Sequence, residues 1–280
     1  RIIFYILVIK IKKMINIIFK RIHNKYSVLF KFIFNLRYLF GIFFISVILF
    51  LSIPHFLDLQ EKDYHIKKYL SDNYKLKLNK YEGIKYNSLP IPNIEIQNAD
   101  ISINETMLKI STSNMKIYPK LFSIYNYENF KSKKIILIEN KILLQSTDLK
   151  SFINYIYTLK KKLNFINLNI KIAKKENTLM NLEKINFSNY GYNKNVALGK
   201  IFKKKFKLTV NEDFNKIKFK LFNTGITVDI NLNETKKNLI SGIFMSSFLN
   251  SNLKFNFNYD DKKIKIYNSY FRSKNLSFKN

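Results

Sequence analysis

LFGIFFISVILFLSI, residues Leu39–Ile53, is a run of fifteen side chains without a formal charge, and it divides the chain into two unlike parts. Leu36 and Tyr38 extend its apolar reach. A helix from Leu36 to Ile53 would rise roughly 27 Å, close to the ~30 Å of a bilayer's hydrocarbon core. Pro54 stands where that helix would leave the hydrocarbon, and proline cannot continue the hydrogen-bond ladder. The reading is a transmembrane helix over 38–54, ahead of a buried core helix. A cleaved signal peptide fits less well, because the preceding segment is long and no A-x-A motif follows.

Flanking charge orients the span. Residues 1–37 carry nine basic side chains (Arg1, Lys10, Lys12, Lys13, Lys20, Arg21, Lys25, Lys31 and Arg37) and no Asp or Glu. Asp58, Glu61 and Asp63 follow the run, among Lys62, Lys67 and Lys68. The positive-inside rule then predicts a cytoplasmic N-terminus, with residues from 55 onward translocated. In a bacterium that is a single-pass inner-membrane protein with its bulk in the periplasm. Ile15, Ile18, Phe19 and Ile22, then Tyr26, Leu29, Phe30 and Ile33, recur at helical spacing. They predict that residues 1–37 hold a basic amphipathic helix resting on anionic lipid headgroups, each lysine contributing about 1 kcal/mol. IIFYILVI at 2–9 is too short to span. The chain opens on Arg1 and closes on the strand-like LSFK before Asn280, so it is expected to be the N-terminal part of something longer.

A net charge of +30 invites a nucleic-acid reading. Against it, Lys, Asn, Ile, Phe and Tyr are enriched throughout while Trp and Cys are absent, a bias that A/T-rich codons produce without any binding face. The lysines are dispersed, and the densest outer cluster, KIFKKKF at 200–206, suits a solvated strand edge. No nucleic acid is expected. The lack of cysteine excludes disulfides and thiolate chemistry. His23, His55 and His65 share no defensible helical face, and no metal site is expected from them.

After a short helix over 64–71 the apolar period changes to two. Leu76/Leu78, Ile94/Ile96, then Ala99/Ile101/Ile103 after a slip at Asn98, alternate with polar residues. Leu108 and Ile110 lead through a turn expected at Ser113–Asn114 to Met115 and Ile117. The pattern returns at Leu168/Ile170/Ile172, Ile185/Phe187, Phe206/Leu208/Val210, Ile217/Phe219/Leu221, Ile226/Val228/Ile230, Leu253/Phe255/Phe257/Tyr259 and Ile264/Ile266. Turns rich in Asn, Asp or Gly separate them at Asn211–Asp213, Asn223–Gly225 and Asp260–Asp261. Helical insertions are expected at Pro119–Tyr125 and Asp148–Lys161, the second with Asp148 as N-cap. The fold class is therefore mainly β: a transmembrane helix, then a curled antiparallel sheet forming an open groove, with short helical insertions. One-faced hairpins can also close over themselves as a packed core.

Residues 53–144 carry a longer pattern. IPHFLDLQEKDYHIKKYLSDNYKLKLNKYEGIKYNSLPIPNIEIQNADISI places Pro54 after the span and Leu89-Pro90-Ile91-Pro92 at a turn between strands. MLKISTSNMKIYPKLFSIYNYENFKSKKIILIENKILL then gives strand, short helix and strand. This order resembles the N-terminal region of the AsmA family, inner-membrane-anchored proteins of Gram-negative bacteria, although Asn73 stands where that family commonly has Gly. From 165 to 280 the resemblance is only to the family's strand-rich body. It implies an N-terminal α+β region over 55–162 and a β-groove region over 163–280, incomplete at its C-terminus. It further implies kinship with bridge-like lipid-transfer proteins, and a role in outer-membrane assembly by phospholipid transfer along a hydrophobic groove.

The aromatic side chains expected to line such a groove and touch phospholipid acyl chains are Phe187, Phe206, Phe219, Phe255 and Phe257. No enzyme is expected: the chain has no Gly-rich phosphate loop, G-x-S-x-G or H-E-x-x-H. No catalytic residue or cofactor follows from the family either. The alternative is a non-catalytic scaffold that tethers other envelope proteins. A transfer protein needs unbroken apolar lining, whereas a scaffold needs a closed core and an exposed patch.

Overall fold

The computed structural model describes residues 2–53, 59–103, 108–125, 127–233, 239–260, 263–274 and 276–279. Arg1, Pro54, His55, Asp58, Asp261 and Asn280, named above, lie outside them. The chain forms two units, Arg1–Leu57 and Asp58–Asn280.

In the first unit, α1 (Ile2–Lys25) and α2 (Ser27–Ser52) meet at Tyr26, whose φ of −112° and ψ of 23° leave the helical region. α2 is longer than the span read from the sequence. Its 26 residues rise about 39 Å, and it takes in Ser27–Ile33, which the sequence pattern had given to the surface helix. The amphipathic repeat continues smoothly through Tyr26, so periodicity alone could not find the break. α2 is long and apolar enough to cross a membrane, and none of its most apolar stretch is buried by the rest of the protein. Arg37, inside α2, has its guanidinium 4.5 Å from the Phe34 ring and 4.7 Å from the Tyr38 ring.

Among the described residues the second unit holds one fifteen-stranded sheet and two α-helices. α3 (Leu59–Tyr74) leads into β1 (Leu76–Lys80) and β2 (Gly83–Asn87), which lie in series along the outer edge of β3 (Asn93–Ile103). β4 (Lys109–Pro119) and β5 (Ser132–Gln145) follow, separated by 3-10 turns at Leu121–Ile124 and Tyr127–Asn129. α4 (Leu149–Thr158) then crosses over to β6 (Leu163–Lys174), which pairs parallel to β5. This is a correction to the all-antiparallel reading: a helical crossover returns the chain to the same end, and only a parallel partner then fits. From there the hairpins are antiparallel: β7 (Asn177–Ser188), β8 (Val196–Ile201), β9 (Lys204–Val210), β10 (Lys216–Leu221) and β11 (Ile226–Leu232). β12 (Ile240–Phe248), β13 (Ser251–Tyr259), β14 (Ile264–Arg272) and β15 (Ser277–Lys279) complete the sheet. The first and last strands do not pair, so the sheet is open. It also runs uninterrupted past residue 163.

A line of phase slips crosses its first half. Asn98, Glu139 and Asn167 take positive φ of 46°, 55° and 56°. Register aligns all three: Ala99 faces Thr112, Thr112 faces Asn140 and Asn140 faces Leu168. Each slip advances the alternation by one, so the apolar side chains stay on one face from Ile94 and Ile96 to Ile101, and from Leu163 and Phe165 to Ile170. β4 slips at the same level and continues straight through Ser113–Asn114. The turn expected there is absent because the doubled polar pair marks a bulge in a strand rather than its end. Buried Thr112 and Asn140 serve the carbonyls the slip displaces. Thr112 Oγ1 donates to Ile138 O at 3.0 Å, and Asn140 Nδ2 donates to Leu137 O at 2.9 Å and Ile166 O at 3.2 Å.

The helices close this half. Ile66, Leu70 and Tyr74 of α3 and Phe152 and Tyr155 of α4 pack into one core with Ile96, Ile101, Met115, Leu137 and Phe165. Asp148 sits at the start of α4 as expected, but its side chain makes no capping hydrogen bond. Buried hydroxyls tie the helices down: Tyr74 and Tyr69 reach Ser132 Oγ at 2.9 and 3.1 Å, and Tyr155 Oη donates to Tyr74 O at 2.9 Å.

Candidate functional site: the uncovered part of the sheet face

Directly opposed residues in neighbouring strands share a face, so the register tells which side chains stand together. Phe165 faces Phe187, Phe187 faces Ala197, Ala197 faces Leu208, and Leu208 faces Phe219. The row continues through Val228, Ser246, Leu253, Phe271 and Phe278. A parallel row runs Val210, Ile217, Ile230, Phe244, Phe255, and another joins Leu232, Gly242, Phe257 and Ile266. Phe206 lies between Gly199 and Leu221. All five aromatic residues singled out in the sequence therefore stand on one face, the same face that carries the core of β3–β6.

They do not share one environment. Phe206 is only 4% exposed and belongs to the closed core, stacked on Phe219 at 5.7 Å between ring centroids. Phe187 and Phe219 are half-buried against that core. Phe255 and Phe257 are half-buried by each other and by Phe244, outside the core. Of the five, Phe206 is sealed in the core, while Phe187, Phe219, Phe255 and Phe257 stay half-buried. The cause is local: Ile66, Leu70 and Tyr74 of α3 and Phe152 and Tyr155 of α4 lie in the core with β3–β6, and Tyr157 of α4 meets the Phe214 ring, in the turn between β9 and β10, at 4.2 Å. Burial thins gradually along the sheet: Leu208, Val210, Ile217 and Phe219 are already half-buried, and every residue of β11 is partly exposed.

Two glycines let aromatic rings lie flat across the sheet. A Cβ on Gly199 would stand 2.9 Å from the Phe206 ring, and one on Gly242 would stand 3.0 Å from the Phe257 ring and 2.6 Å from Asn231 O. No family model, no curated protein and no solved structure matches this chain. What the face does is therefore argued from its own residues.

β12 escaped the sequence reading. ISGIFMSSF alternates correctly, but Gly242 and Ser246 occupy two of its inward positions and hide the apolar period. Its Phe244 stacks on Phe255 at 4.7 Å and forms the middle of the uncovered zone. The reverse face is polar and lysine-rich, with Lys200 opposite Lys205 and Lys207 opposite Lys220. Among the described residues no three His, Asp or Glu side chains converge as a metal site would need. His23 stacks on Phe30 in the first unit and His65 lies against Tyr64 in α3. The strongly shifted groups are structural. Burial pushes the Tyr74 and Tyr155 hydroxyls well above the ordinary phenol range, and pushes Tyr86 and Tyr127 up to about 12.

Proposed function

We propose that this is a membrane-anchored, periplasmic protein of the bacterial inner membrane that holds phospholipid acyl chains on the uncovered part of its sheet, in the service of outer-membrane assembly. α2 is the anchor, its N-terminal side is cytoplasmic, and the basic side chains of α1 rest on anionic headgroups. The single observation supporting the reading is that one continuous apolar face, fully buried along β3–β6, is left half-exposed farther along the sheet, at Phe244, Phe255 and Phe257. Bare aromatic surface of this kind requires a cover, and an acyl chain supplies one without fixed polar partners. The lining is Phe244, Phe255 and Phe257 with Val228, Ile230 and Ile266, rather than the full set of five phenylalanines. The AsmA resemblance gives the same direction of reading. No residue is assigned catalysis.

A tethering scaffold is the second reading, and the closed core of β3–β6 beside an exposed patch favours it. Photo-crosslinking separates the two. A photoreactive residue at Phe255 or Phe257 in the full membrane-bound chain is expected to form phospholipid adducts, while the same residue at Phe206 or at Lys254 on the reverse face forms none. Protein adducts in place of lipid at Phe255 and Phe257 would establish the scaffold instead.

A further inference from the structure

We infer that one end of the sheet docks end-on into an anionic lipid bilayer through its hairpin tips, a role independent of whether the face carries lipid. From β7 to β15 every neighbour is antiparallel and consecutive, so alternate turns fall at the same end. One end collects the turns 202–203, 222–225 and 249–250 with Ser273, Lys274 and Leu276; the other collects the turns 189–195 and 211–215 with Asn233, Leu239, Asp260 and Lys263. These four first-end turns contain no Asp or Glu among their described residues, Glu176 standing in the neighbouring β6–β7 turn of the same end, while the described residues of the second set include Glu212, Asp213 and Asp260. Every tip in the first set presents an apolar side chain to solvent: Phe202 is 74% exposed, Phe222 36%, Leu249 68% and Leu276 63%. Lys203 and Lys274 stand in the same tips, and Lys204, Lys220 and Arg272 lie in the strands that flank them. Lys220 Nζ lies 5.5 Å from the Phe222 ring.

Backbone conformation makes two of these tips more telling. Phe202 and Lys203 have φ of 49° and 64°, and Leu249 and Asn250 have φ of 44° and 66°. Such two-residue turns favour Asn or Gly at both positions, and a bulky side chain there is strained. Phe202 and Leu249 are thus both exposed and strained, and neither condition helps the isolated fold. Large apolar groups projecting beyond a ring of lysines match the boundary between acidic headgroups and acyl chains. The opposite end mixes Glu212, Asp213 and Asp260 with Lys194 and Lys263, Lys194 being paired to Glu212 at 2.9 Å, and offers that surface no net attraction. α3 begins near that opposite end, where Lys62 Nζ lies 5.5 Å from the Tyr127 ring, so the apolar tips lie at the end remote from the start of the unit.

The chain has no cysteine, so a single introduced one is a unique labelling site. The full chain, held in phosphatidylcholine nanodiscs, would carry an environment-sensitive dye on Leu249→Cys or, at the other end, on Asn193→Cys. Titration with phosphatidylglycerol vesicles is expected to move the Leu249 dye into an apolar environment, to weaken as salt rises, and to leave the Asn193 dye unchanged. Adding Phe202→Asn and Phe222→Ser, the former compatible with the left-handed turn, is expected to lower apparent vesicle affinity about tenfold or more for each side chain removed, without loss of folding. An equal response at Asn193, equal affinity for pure phosphatidylcholine vesicles, or undiminished binding by the doubly substituted chain would overturn the proposal.

Discussion

β3–β6 and β11–β14 are two stretches of one sheet built from the same alternation of apolar and polar residues, yet they end in opposite states. In the first, Ile96, Ile101, Leu137 and Phe165 are completely or almost completely buried. In the second, Val228, Ile230, Phe255 and Phe257 remain half-open. The difference lies not in the strands but in α3 and α4, which are long enough to roof one stretch and not the other. A β-face is defined by its own sequence; whether it becomes a core is defined by what is laid over it.

The largest test of that contrast is a matched pair of truncations. Leu137→Ala, in the roofed half, is expected to lower stability by about 3 kcal/mol, because a cavity remains where no group can collapse. Phe257→Ala, in the bare half, is expected to lower it by about 1 kcal/mol, since a half-exposed ring forfeits only part of its transfer energy. Urea midpoints of the two variants measure the gap directly, and equal midpoint shifts would erase the distinction between the halves.

The hydroxyl network under the roof gives a smaller effect with a defined pH direction. Burial raises the Tyr74 and Tyr155 pKa values above that of an unfolded tyrosine, which ionises at about 10. The neutral form is therefore favoured on folding. The stability linked to it is fully present below about pH 10 and is lost as pH rises through the folded values. Denaturation followed from neutral to strongly alkaline pH should show this fall, and Tyr155→Phe should flatten it at the expense of about 1 kcal/mol at neutral pH from the lost bond to Tyr74 O. An unaltered alkaline slope in that variant would remove Tyr155 from the account.

The smallest expected effect lies on the reverse face. Lys207 stands directly opposite Lys220, and like charges so placed oppose strand pairing. Lys207→Glu is expected to raise stability by a few tenths of a kcal/mol at low salt, the gain fading as salt is added. A gain independent of salt would point to a cause other than charge.

Much of the fold was legible in the chain because period and punctuation are local. The apolar run at 39–53, the alternation through 253–259, the turn at Asn223–Gly225 and the slip at Asn98 each follow from neighbouring residues alone. The slip was readable as one misplaced polar residue between two apolar series. Its continuation through Glu139 and Asn167 was not, since only strand pairing reveals that the slips align. β12 was hidden by small residues on its inner face, and the parallel β5–β6 pair by the fact that crossover geometry belongs to two distant strands and the helix between them.

The sequence by itself determined which residues share a face, where most strands turn and which helix is apolar enough to cross a bilayer, because side-chain direction follows from backbone period. It also placed all five phenylalanines on one side. Tertiary structure alone decided that Phe206 is sealed while Phe255 and Phe257 stay half-open, that Tyr26 divides two helices, and that Phe202, Phe222, Leu249 and Leu276 share one end of the sheet. Those outcomes depend on which elements meet across long stretches of chain, and contact between distant residues leaves no period in the sequence to read.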